Sequence, residues 1–84
     1  MNDNTPDLTA ERLRLAAAAA LNEAGFSAVT LFTPTLEARL RIEPATGAVV
    51  ALDEDGEPRR GVTAAMVARE LRAEYEKRDR RFFR

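Results

Sequence analysis

The feature that most constrains this chain is a strict alternation through residues 35–43. Leu36, Ala38, Leu40 and Ile42 take turns with Glu37, Arg39, Arg41 and Glu43. Successive side chains of a strand leave opposite faces, so a period of two predicts a strand with one apolar and one charged face. Pro44 and Gly47 bound a turn: Pro pre-sets φ at its start and Gly supplies positive φ at its end. Residues 48–52 are apolar and complete an antiparallel hairpin. Upstream, residues 26–33 are rich in β-branched and aromatic side chains. They predict a further strand, ended by Pro34, which has no N–H to give to a ladder.

Helical signals flank these strands. Thr9 is a fit N-cap, Leu8 and Leu13 can form a hydrophobic staple around it, and Glu11 suits the first turn. Leu13, Ala17, Ala20, Leu21 and Ala24 recur at helical spacing, and Gly25 is placed to stop the helix. After an acidic turn, Thr63 can cap a second helix. Its stripe of Ala64, Val67, Ala68, Leu71 and Tyr75 faces inward, while Arg69, Glu70, Arg72, Glu74 and Glu76 face water. The expected fold is therefore a small α+β domain of order α-β-β-β-α, a three-stranded antiparallel sheet with both helices packed on one face. At 84 residues this is a single domain. Residues 1–7 read as a flexible leader and residues 8–84 as the domain.

Composition narrows the chemistry. Thirteen basic residues against fourteen acidic ones give a net charge of -1, which argues against a surface built throughout to grip nucleic acid. There is no cysteine and no histidine. That removes disulfides, thiolate zinc sites, a Cys nucleophile and the commonest general base. Ser27 is the only serine and has no base near it in sequence. Asp53, Glu54, Asp55 and Glu57 form a dense carboxylate cluster, but without the alternation of a calcium-binding loop. They read as a solvated turn with a corner at Asp55 and Gly56. No glycine-rich phosphate loop is present. The expectation is no enzyme, no cofactor and no metal. The longest apolar block, residues 15–21, is far below the ~20 residues of a membrane span, so a cytoplasmic location is expected. The many arginines beside the single Lys77, in an Ala-rich chain, suggest a gene from a GC-rich bacterium or its phage.

The α-β-β-β-α order resembles the double-stranded RNA-binding fold. In that family a basic cluster at the start of the last helix spans phosphates across the major groove. Arg59 and Arg60 lie just before the last helix and would stand in for it. The likeness is one of element order: Thr33-Pro34-Thr35 and Ala64-Ala65-Met66 stand where the family carries its Gly-Pro-x-His-type loop and its lysine run. Small mRNA-interferase toxins share the order too, but their catalytic histidine is absent here.

Two surfaces remain for a protein partner. One is the open sheet face, carrying Glu37, Arg39, Arg41 and Glu43. The other is the tail Arg81-Phe82-Phe83-Arg84, whose aromatics can instead fold back on the core or reach a second copy. The reading from sequence is a non-enzymatic protein-binding module. Its concrete form is a small phage or mobile-element inhibitor of a bacterial defence complex, of the anti-CRISPR type, acting by surface occlusion. The partner would be another protein, for instance a nucleic-acid-processing complex. The alternatives are a nucleic-acid-binding domain using Arg59 and Arg60, or a homodimer exchanging Phe82 and Phe83.

Overall fold

The computed structural model describes residues 8–78, 81 and 83 of the chain. The expected leader, and Phe82 and Arg84 of the tail, lie outside the described residues. The elements run α1 (Leu8–Glu23), α2 (Val29–Glu37), β1 (Leu40–Ile42), β2 (Val49–Ala51) and α3 (Ala64–Glu76). The class is α+β as expected. The order is not: among the described residues a third helix stands where the first strand was predicted, and the sheet has two strands.

α1 ends as its sequence foretells. The Gly25 N–H donates to the Asn22 carbonyl and the Phe26 N–H to the Leu21 carbonyl, with Gly25 at φ 92°. This is a Schellman cap, which needs a residue at ease in the left-handed region. It also brings Phe26 against Leu21, and both are fully buried. Ala17 and Ala20 share that buried stripe, and their small side chains let neighbouring helices approach closely.

The correction lies in residues 26–37. Val29, Phe32, Thr33 and Leu36 are also spaced for a helix, and α2 buries Phe32, Thr33 and Leu36 together. Burial of one helical stripe outweighs the strand preference of β-branched residues, which reflects how a side chain fits a pleated surface rather than a fixed backbone bias. Thr33 meets the cost of its buried hydroxyl locally: Oγ1 donates to the Val29 carbonyl at 2.8 Å. Pro34 sits inside the helix and leaves the Thr30 carbonyl without its usual donor. Thr30 and Pro34 are both exposed, so water can serve that carbonyl.

The long predicted strand over residues 35–43 is thereby divided. Leu36 closes α2, Ala38 is exposed rather than inward, and only Leu40–Ile42 remains extended. Leu36 and Leu40 are four apart, a spacing that satisfies both a strand and a helix, and both are buried. The hairpin itself forms as expected. β1 and β2 are antiparallel, with Leu40 opposite Ala51, Arg41 opposite Val50 and Ile42 opposite Val49. Gly47, at φ 74°, donates to the Glu43 carbonyl at 2.7 Å and closes the turn. Past β2 the chain doubles back. Leu52 and Pro58 form an antiparallel bridge, and the Arg59 N–H donates to the Ala51 carbonyl at 2.8 Å. The other edge of β2 is thus met from downstream rather than by the predicted upstream strand.

α3 follows the prediction closely. The Thr63 hydroxyl accepts from the Met66 N–H at 3.2 Å, and Val67, Ala68 and Leu71 are buried. All three helices and the Leu40–Ala51 side of the hairpin contribute to one core. At its centre Phe26 packs edge-to-face on Phe32 and on Phe83, at ring separations of 4.9 and 4.8 Å. Phe83 also pairs its backbone with Phe26, so this part of the tail folds back on the core.

Candidate functional site

Among the described residues, two grooves stand out on the surface. The first, about 490 Å³, lies between one end of the hairpin and α3. Arg39 precedes β1, Asp53 and Glu54 follow β2, and Glu70 and Glu74 stand one turn apart on α3. Arg59 reaches in from the segment bridged to β2. The charges inside are paired. Arg59 donates from both terminal nitrogens to both oxygens of Glu70, each at 2.8 Å. This fork matches guanidinium to carboxylate geometry. The hydrogen bonds from Arg59 hold the Glu70 carboxyl below the ordinary carboxylate range, against a smaller opposing effect of burial. The same bonds raise the Arg59 pKa further. Arg39 makes a longer contact, with both terminal nitrogens 3.4 Å from one oxygen of Glu74.

The carboxylates of this groove outnumber its guanidiniums, because the exposed Asp53 and Glu54 add charge to its lining. Asp53 is partly committed to the loop. Its Oδ1 accepts from the Asp55 N–H at 2.8 Å and the Glu57 N–H at 2.9 Å, which fixes the acidic turn. Glu54 is exposed and has no partner among the described residues. Among the described residues no three carboxylates are grouped to hold a metal ion. No described helix is long and apolar enough to cross a membrane.

The second groove, about 360 Å³, runs between α1 and α2 and is largely apolar. Leu15 and Ala18 line one wall, Val29 and Pro34 the other. Leu15 is 61% exposed. Arg14 stands on the α1 wall and Glu37 on the α2 wall.

The residues predicted for the open sheet face are dispersed. Glu37 ends α2 on the apolar groove, and Arg39 turns to α3 in the charged one. Arg41 projects opposite Val50, with its guanidinium 4.0 Å from Glu43. The expected same-face pair of Arg39 and Arg41 therefore spends one member on an ion pair with α3. Of the nucleic-acid candidates, Arg59 is held by Glu70 and Arg60 is exposed in the turn before α3. Arg81 is exposed, and its carbonyl accepts from the Ser27 hydroxyl at 3.3 Å. Phe83 is half-buried, with the Arg72 guanidinium 5.4 Å over its ring.

No family model, curated protein or solved structure matches the chain.

The sequence reading missed the partners Glu70 and Glu74, treating them as plain solvent-facing charges. Their spacing of one helical turn was the available signal, but its meaning depends on where α3 docks. It missed the apolar groove entirely, since that groove exists only because residues 29–37 are helical.

Proposed function

We propose that the chain is a non-enzymatic protein-binding module that engages a basic protein surface through the charged groove. The observation that supports this is the carboxylate surplus of the groove lining, from Asp53 and Glu54, beside a preformed frame of ion pairs. The loop that carries them is already ordered by the hydrogen bonds to Asp53, so little backbone freedom is lost on binding. Opposite charge on a partner would steer encounter and fix register more than it raises affinity. Arginine-rich surfaces that bind nucleic acid have the complementary character. Occlusion of such a surface in the cytoplasm is the form in which an inhibitor of a nucleic-acid-processing defence complex would act.

The double-stranded-RNA reading is less well supported. Arg59, one of its two candidates beside the exposed Arg60, is neutralised by Glu70 and lies among further carboxylates that repel phosphate.

The test is recovery of a partner from a nuclease-treated bacterial lysate by wild type, Glu54→Arg and Glu74→Arg proteins, with circular dichroism to check the fold. The proposal expects a protein retained by wild type and lost from both variants. Equal recovery by all three would overturn it. Recovery from an untreated lysate that is lost from the treated one would overturn it in favour of the nucleic-acid reading.

A further inference from the structure

The apolar groove differs from the charged one in carrying unpaired charge of both signs. Arg14 on α1 and Glu37 on α2 both line it, and among the described residues neither side chain has a hydrogen-bond or ion-pair partner. Beside them lie Leu15, 61% exposed, and the exposed Pro34. A cation on one wall and an anion on the other make this surface complementary to itself. A two-fold axis that passes midway between two points, perpendicular to the line joining them, exchanges them. An axis passing between Arg14 and Glu37 therefore sets each guanidinium against the carboxylate of the other copy, twice over. The same operation brings the apolar strip containing Leu15 and Pro34 onto its own image, which is the geometry of an isologous interface.

We propose that the α1–α2 groove is a homodimer interface, its occupant a second copy of this chain docked by reciprocal Arg14–Glu37 pairs over a Leu15 contact. The proposal does not rest on the charged groove, with which this groove shares no lining residue. Most of the paired charge is on the rim and solvated, so the pairs set register while Leu15 supplies desolvated contact. The groove is small beside the ~1,200–2,000 Å² buried by stable specific interfaces. Association is accordingly expected in the micromolar range and visible as a concentration-dependent mass.

Sedimentation equilibrium on the purified chain tests this without any other protein, so its outcome is separate from that of the lysate experiment. Wild type is expected to pass from monomer to dimer with concentration. Arg14→Glu and Glu37→Arg each place like charges across the axis and are expected to weaken association at least tenfold. The double variant Arg14→Glu with Glu37→Arg is expected to recover it. Leu15→Ser is expected to weaken it with the charges intact. All of these positions are outside the buried core, and circular dichroism confirms that each variant folds. A monomer at every concentration would overturn the proposal. So would a dimer indifferent to the single reversals, or single reversals that the double variant does not rescue.

Discussion

The two grooves use charge in opposite ways. In the groove between the hairpin and α3, Arg39 and Arg59 find Glu74 and Glu70 within the same molecule, and the carboxylate excess is left to face outward. In the groove between α1 and α2, Arg14 and Glu37 flank apolar surface and find no partner among the described residues. The first arrangement is closed and ready for an external basic group. The second is incomplete until another surface supplies the matching charges. Net charge, at -1, conceals this difference, since it lies in how like numbers of charges are distributed.

Both grooves depend on α2 and α3 being held on the core, so the largest effect is expected where that support is removed. Leu36 is fully buried at the end of α2, in the core that α3 shares. Leu36→Ala is expected to cost ~2–5 kcal/mol in a urea titration. A loss under ~1 kcal/mol would show that the α2 wall is not anchored there.

Pro34 gives a smaller effect of opposite sign. Within a helix it removes a hydrogen bond and crowds the preceding turn. Pro34→Ala is expected to raise stability by ~1–2 kcal/mol, less than the full helix penalty because alanine also frees the unfolded chain. If residues 29–37 were a strand ended by Pro34, no such gain would follow. Thermal melts of the two proteins decide between these outcomes.

The smallest effect concerns the Arg59–Glu70 fork. The Glu70 carboxyl is held below its ordinary range, so its contribution is complete above that range and is lost as pH falls through the lowered value. The stability difference between wild type and Glu70→Gln is therefore expected at neutral pH and to vanish on acidification. Since both side chains are partly solvated, the difference is modest. A difference that grew toward low pH would reverse the assigned direction of the shift.

How much of this was legible depends on whether a segment's signals agree. In α3 the cap Thr63, the stripe Val67, Ala68 and Leu71, and the charged outer face all point to one helix, and that helix forms. The stop at Gly25 and the turn at Gly47 were legible for the same reason: each meets a specific demand for positive φ. Residues 26–37 carry conflicting signals. Their side chains favour a strand by type but a helix by the spacing of Val29, Phe32, Thr33 and Leu36, and only the assembled core decides. The alternation through residue 43 concealed the boundary, because the Leu36–Leu40 spacing suits either geometry. Among site residues, Arg39 and Arg59 were singled out from sequence. Their convergence on α3 was not, since Glu74 and Glu70 meet them only through tertiary packing. Adjacent aromatics at a helix end suit folding back on a core, and Phe83 does so on Phe26 and Phe32.

The contrast between a closed and an open pair of charges is most directly tested by two double-mutant cycles, measured by denaturation at concentrations low enough to keep the chain monomeric. One cycle combines Arg59→Ala with Glu70→Ala, the other Arg14→Ala with Glu37→Ala. The expected result is a coupling above measurement error for Arg59 and Glu70, and none for Arg14 and Glu37. A coupling between Arg14 and Glu37 in the dilute monomer, or its absence between Arg59 and Glu70, would contradict the account.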